Sequence, residues 1–186
     1  MSIRYLLLLL AVSFLAACGT TVNVDYDKEA NFQALRTFTL MPTPETKTGD
    51  ERLDSPLVDQ RIRNAIVATL KSREYQQVKS NADFDVAYQL GVRKEIDSNR
   101  ASMSVGVGTY GRGSAIGMSY GNRGYVESYE RGILTIDVLK GSDKKLVWRG
   151  SSGRRLYDGS TPEKSTKEIN AVVKEILDKF PPGNKK

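Results

Sequence analysis

A chain of 186 residues carries a single cysteine, no histidine and a formal net charge of +6. One cysteine forbids an internal disulfide, and the lack of histidine removes the commonest general base and excludes Ser-His-Asp and Cys-His nucleophiles. The length suits one domain with a sizeable core, while the mild basic excess suits anionic headgroups, cell-wall polymers or plain solubility and argues little for nucleic acid.

At the N-terminus, Arg4 precedes an apolar run from Tyr5 that closes on Leu15-Ala16-Ala17-Cys18, the order of a secretory signal. As a helix, Tyr5 to Cys18 would be about 21 Å long, short of the roughly 30 Å of a hydrocarbon core. Cleavage therefore fits better than a retained span. Leu15-Ala16-Ala17-Cys18 resembles the lipobox of bacterial lipoproteins. That resemblance implies cleavage before Cys18, a diacylglycerol on its sulfur and a palmitate-type acyl group on the new amino terminus. Several acyl chains hold a protein firmly where one holds marginally. Gly19 in place of Asp implies, by the same analogy, sorting to the outer membrane. The chain then divides into a signal peptide (1–17), a lipidated terminus with a short tether (18–21), one domain (22–180) and a tail (181–186).

Val22, Val24 and Tyr26 alternate with polar residues at the period of a half-buried strand, and Thr37 to Leu40 reads as a second strand stopped by Pro42. Met41 to Asp54 is a polar loop. Ser55-Pro56 starts a helix, because serine caps orphan amides and proline suits the first helical position. Val58, Ile62, Ala65, Ile66 and Leu70 share one face, which leaves Asp59, Arg61, Arg63 and Lys71 to solvent. A brief segment at Tyr75 to Val78 leads to the strongest strand signal, Phe84, Val86, Tyr88, Leu90 and Val92 at a period of two.

From 98 to 125 the composition changes: seven glycines crowd between Gly106 and Gly124, and no acidic residue lies between Asp97 and Glu127. Val105 to Gly108 and Ile116 to Tyr120 keep the strand period, which predicts a glycine-rich hairpin with its tip between Thr109 and Ala115. Tyr125 to Lys140 and Leu146 to Tyr157 are the next strands, joined by a turn at Gly141-Ser142-Asp143. Thr161-Pro162-Glu163 starts a second helix, whose stripe Ile169, Val172, Val173, Ile176, Leu177 and Phe180 runs to Pro181-Pro182. The fold class expected is α+β, a twisted, mostly antiparallel sheet with two helices packed on one face.

Val24-Asp25-Tyr26-Asp27, Ala82-Asp83-Phe84-Asp85-Val86-Ala87-Tyr88, Gly132-Ile133-Leu134-Thr135-Ile136-Asp137, Leu146-Val147-Trp148-Arg149-Gly150 and Phe180-Pro181-Pro182 together resemble the bacterial lipoprotein family of domain of unknown function 4136. The resemblance covers nearly the whole mature chain. It implies an envelope lipoprotein with a small α+β domain, and it supplies no reaction or catalytic residues. The long glycine insert departs from the common pattern.

Gly106 to Gly111 spells the letters of a dinucleotide fingerprint, but no helix follows to receive a pyrophosphate. Asp25 with Asp27, and Asp83 with Asp85, could each ligate a hard cation, although without the glycine and terminal glutamate of a calcium loop a solvated strand edge is the better reading. Trp148 is read as core rather than as a binding platform. The surface expected to meet a partner is Tyr110, Arg112, Tyr120, Arg123 and Tyr125, with Tyr129 and Arg131 continuing the interleaving, since aromatic faces and guanidinium groups suit a glycan, a headgroup or another protein's strand.

These readings converge on a non-enzymatic envelope lipoprotein, a binding or assembly module held at the periplasmic side of the outer membrane by lipid on Cys18. An envelope protein or cell-wall glycan is the expected partner, with no nucleic acid, no metal and no cofactor. Two alternatives stand beside it: an oligomer whose hairpins insert in a membrane, and a carboxylate-dependent cell-wall hydrolase for which no constellation is visible.

Overall fold

The computed structural model describes residues 22–42, 47–97, 105–110, 113–118 and 127–183. Cys18 and the signal segment therefore lie outside the described residues. The elements follow the predicted order: β1 (Asn23–Tyr26), a 3-10 turn (Phe32–Ala34), β2 (Thr37–Leu40), α1 (Pro56–Lys71), β3 (Gln76–Gln77), β4 (Phe84–Asp97), β5 (Val105–Tyr110), β6 (Gly113–Met118), β7 (Glu127–Lys140), β8 (Leu146–Arg155) and α2 (Pro162–Leu177). Six strands form one sheet in the order β1-β8-β7-β4-β2-β3, and β5 pairs with β6. The β1–β8, β8–β7 and β7–β4 pairings are antiparallel, whereas β2 runs parallel to both β4 and β3. The sheet is thus mixed, and the fold is α+β as the pattern implied.

Each helix starts where its cap chemistry places it. The Ser55 hydroxyl accepts from the Leu57 amide and the Thr161 hydroxyl from the Lys164 amide, each beside a proline in the first turn. Arg73, just past α1, donates to the Leu177 and Phe180 carbonyls and to the Asp178 carboxylate, so the C-termini of the two helices lie together. At the other end Arg52, ahead of α1, contacts Asp158, ahead of α2, at 3.2 Å. The helices therefore run side by side in the same direction.

The core lies between helices and sheet, where Phe38, Phe84, Val86, Ile136, Val138 and Trp148 meet Ile62, Ile66, Leu70, Val173, Ile176 and Leu177, all buried. Phe180, beyond the last turn of α2, has its ring centroid 5.3 Å from Trp148 and 5.6 Å from Phe84. Trp148 is core, as the pattern suggested. A Cβ at Gly150 would stand 2.4 Å from the Trp148 ring and 2.8 Å from Ile176, so the indole occupies the space that any side chain at 150 would fill. This gives the Trp148-Arg149-Gly150 motif a packing role.

The first helix departs from the sequence reading on its polar side. Asp59 and Arg63 are half-buried rather than solvated: Tyr88 donates its hydroxyl proton to Asp59, and Arg63 donates to the Met41 carbonyl at 2.9 Å. Burial, and then the Asp59 carboxylate, raise the Tyr88 hydroxyl's pKa above its ordinary value. The strand period cannot reveal that a core tyrosine needs a polar partner for its hydroxyl.

Among the described residues, the other sheet face carries no helix. Asp85 and Asp137 are buried there nonetheless, Asp85 against Lys144 and Asp137 under a two-pronged contact from Arg149, whose Nε and Nη2 each lie 2.7 Å from a carboxylate oxygen. The Asp137 contact raises the Arg149 pKa. A buried carboxylate needs such a partner, because isolating it from water costs several kcal/mol.

Candidate functional site

Three of the four paired carboxylates are engaged in structural bonds. Asp27 contacts Lys145 at 2.8 Å and accepts from the Glu29 amide, and Asp25 stands opposite Arg149 in the β1–β8 register. Asp83 accepts from the Arg36 amide (3.0 Å), the Thr37 amide (2.8 Å) and the Thr37 hydroxyl (2.9 Å), pinning the start of β2 to the start of β4. These bonds, the Thr37 amide foremost, lower the Asp83 pKa. Its contribution to stability is therefore complete above the unfolded value of about 3.9 and is lost as pH falls through the lower folded value. Asp83→Asn is expected to melt below wild type at neutral pH, with the difference narrowing as the solution is acidified. A gap independent of pH in paired thermal melts would show that the carboxylate charge is not what holds the two strands.

Of the residues expected to bind a partner, Tyr110 lies in β5 opposite Gly113. Arg112, Tyr120, Arg123 and Tyr125 lie outside the described residues. The hairpin itself forms: Val105 pairs with Met118, Val107 with Ile116 and Tyr110 with Gly113, so Thr109, Tyr110 and Gly113 to Ala115, expected in the tip, are paired strand residues instead.

At the end of the sheet from which this hairpin departs, the structure shows an open cleft of about 410 Å³, lined by Arg52, Lys94, Tyr129, Glu130, Arg155 and Tyr157 among others. Arg52 forms its helix-side wall. It contacts Asp50 at 2.5 Å, Asp158 at 3.2 Å and Glu130. The Asp50 and Glu130 contacts raise the Arg52 pKa, and in return Arg52 lowers that of Asp50. The other wall is aromatic. The Arg155 guanidinium lies 4.6 Å from the Tyr129 ring centroid and 5.7 Å from that of Tyr157, and Lys164 approaches Tyr157 at 5.5 Å. Tyr129 donates to Glu95 at 2.7 Å, and Glu95 stands 3.7 Å from Arg131.

The ladder sets Arg93 opposite Arg131 and Arg131 opposite Arg155, a row of three arginines level across β4, β7 and β8. Like charges directly opposite one another repel; Glu95 and the tyrosine faces offset that cost. The sequence pattern already groups Tyr129 and Arg131 with the tyrosines and arginines of the insert; what it does not bring to them is Arg52, Arg155 and Tyr157. The signal was present in Tyr129, Arg131, Arg155 and Tyr157, but only the strand register joins residues from the two ends of β7 and β8. Among the described residues, no cluster of three or more Cys, Asp or Glu is placed to hold a metal.

What these observations define is a small two-layer α+β domain with a mixed cationic and aromatic cleft at one end of its sheet. The chain belongs to the family described as Domain of unknown function (DUF4136), whose model matches residues 22–182. No curated protein matches the sequence. Among solved structures, the chain is similar to a PDZ domain protein from Parabacteroides distasonis, with 11% identity and a TM-score of 0.50 over 89% of this chain. It spans only 36% of that protein's length. It is also similar to the PelC dodecamer from Paraburkholderia phytofirmans (10% identity, TM-score 0.46, 86% of this chain and 95% of that one). A minor lipoprotein from Acinetobacter baumannii matches at 9% identity and a TM-score of 0.39 over 78% of this chain and 89% of that one. At 11% identity the first of these likenesses speaks for the fold alone.

Proposed function

We propose that the protein is a lipid-anchored envelope protein of the outer membrane's periplasmic side, a non-enzymatic binding or assembly module that presents its glycine-rich hairpin to a partner. One observation carries the reading: Leu15-Ala16-Ala17-Cys18 stands four residues ahead of the family domain that begins at residue 22. A signal that ends so close to the first strand leaves Cys18 the attachment point and the folded domain the cargo. The fate of the carboxylates supports a binding role, since Asp25, Asp27, Asp83, Asp85 and Asp137 are placed against cations or amides that the fold itself supplies.

The test joins anchor and hairpin. Protein extracted from envelopes should have the mass of a chain that starts at Cys18 and bears acyl groups, and Cys18→Ser should abolish that mass and release the domain from membranes. Replacing Thr109 to Asn122 with an Asn-Gly turn should leave folding intact and end crosslinked capture of the partner. An unmodified Cys18 would refute the anchor, and undiminished capture would refute the hairpin's role. A second reading, membrane insertion of the hairpin, is favoured by the register itself, in which Val105–Met118 and Val107–Ile116 rungs alternate with Gly106–Gly117 and Gly108–Ala115.

A further inference from the structure

The direction of the strands relates the hairpin to the N-terminus. β1 begins at Asn23, opposite Ser151, and runs to Tyr26, opposite Trp148. Followed backwards from Asn23, the chain heads along β8 toward Arg155, which is level with Arg131 of β7 and Arg93 of β4. That is the end at which β4 and β7 give way to the insert. β1 therefore points back toward the end of the sheet at which β4 and β7 give way to the insert.

The reach of the chain makes this a constraint on orientation. Five peptide steps separate Asn23 from Cys18, a span of at most about 17 Å. From Ser151 to Arg155 is about 13 Å along β8, so Cys18 reaches the level of the arginine row when the chain continues straight. The turn at Gly141-Ser142-Asp143 lies at the opposite end of the same strands, and from Ser151 back to Leu146 is already about 17 Å. With the chain straight, an anchor at Cys18 thus lies nearer the arginine row than that far turn. The β4–β7 ladder, in contrast, runs four residues beyond Arg93 to the Asp97–Glu127 rung before the insert begins, about 13 Å past the arginine row.

We infer that the partner of the β5–β6 hairpin is the lipid bilayer that holds the protein's own anchor, and that the hairpin docks in its interface. This rests on the anchored reading of Cys18. β5 and β6 contain no charged residue, and their alternate rungs are valine with methionine or isoleucine, then glycine with glycine or alanine. Alternate rungs share a face, so the hairpin has an apolar face suited to the boundary between headgroups and acyl chains, where amphipathic elements settle about 5–10 Å deep.

Two features set the depth. Each strand has six residues, fewer than the roughly 9–11 that cross a membrane, and the edges of a lone hairpin need water or headgroups as hydrogen-bond partners. The hairpin therefore lies in the interface and does not span. Tyr129, Tyr157 and Arg155, at the end of the sheet from which the insert leaves, are chemically suited to a headgroup layer.

The test uses the lipidated full-length mature protein in phosphatidylethanolamine–phosphatidylglycerol vesicles. Once Cys18 carries lipid, an introduced cysteine is the only thiol, so a polarity-sensitive fluorophore can be placed singly by Ile116→Cys or by Ser142→Cys. Quenchers attached to lipid just below the headgroup should quench the label at 116 several-fold more than that at 142. Adding Val107→Asp should bring the label at 116 down to the level of the one at 142. Equal quenching at both sites, or stronger quenching at 142, would overturn the inference, as would labelling of the tip from the far side of the bilayer. Mass spectrometry separates the two readings: a chain without acyl groups on Cys18 fails the anchor, whereas an acylated protein with residue 116 in water fails the hairpin inference alone.

Discussion

Ile176→Asp is expected to abolish cooperative folding. Ile176 is fully buried on the face of α2 that meets the sheet, beside Gly150 and the Trp148 ring. A carboxylate there would lose its hydration without gaining a cation, at a cost of several kcal/mol, comparable with the about 5–15 kcal/mol that stabilises a typical domain. Ile176→Val serves as the control, with an expected loss of about 1 kcal/mol. Circular dichroism during heating reads both. A cooperative transition within a few degrees of wild type for the aspartate variant would mean that α2 does not seal the core.

The second large effect is expected at Gly150. Gly150→Ala adds one methyl group where the Trp148 ring and Ile176 already stand closer than van der Waals contact allows. Both neighbours are fully buried, so neither can swing into solvent to make room. Overpacking of this kind costs about 1–3 kcal/mol and at times more. Trp148 is the only tryptophan, so its fluorescence reports on the displacement directly. The variant should lose stability in denaturant titrations and show a red-shifted emission before the main transition. Wild-type emission together with wild-type stability would mean that the indole does not need the space above residue 150.

The parts of the fold legible in the sequence were those governed by local rules. Ser55-Pro56 and Thr161-Pro162 announced both helices, and the alternation from Phe84 to Val92 announced the central strand. Valines spaced by glycines announced the hairpin. What remained hidden depended on pairing between distant segments. Nothing local says that β2 should run parallel to β4, because that choice is made by Asp83 holding the Arg36 and Thr37 amides. The burial of Asp85 and Asp137 was equally invisible, since an aspartate alternating with core residues reads as solvent-facing until its cation is found across the sheet on Lys144 or Arg149. The same holds for the cleft: Arg52 meets Glu130 and Asp158 only through the tertiary fold.

The ring of Phe180 meets partners from almost the whole length of the chain: Phe32 at 6.0 Å, Tyr75 at 5.9 Å, Phe84 at 5.6 Å and Trp148 at 5.3 Å. At the sheet edge, β1 has no neighbour to pair with until β8 exists. The domain's first and last elements therefore complete one another, and contacts of such long sequence separation form late. A growing chain cannot close its core piecemeal; its apolar surfaces stay uncovered until the final helix and Phe180 arrive. Folding of this domain is thus timed by its C-terminus, and a chain cut short before Phe180 would lack the ring on which the others converge.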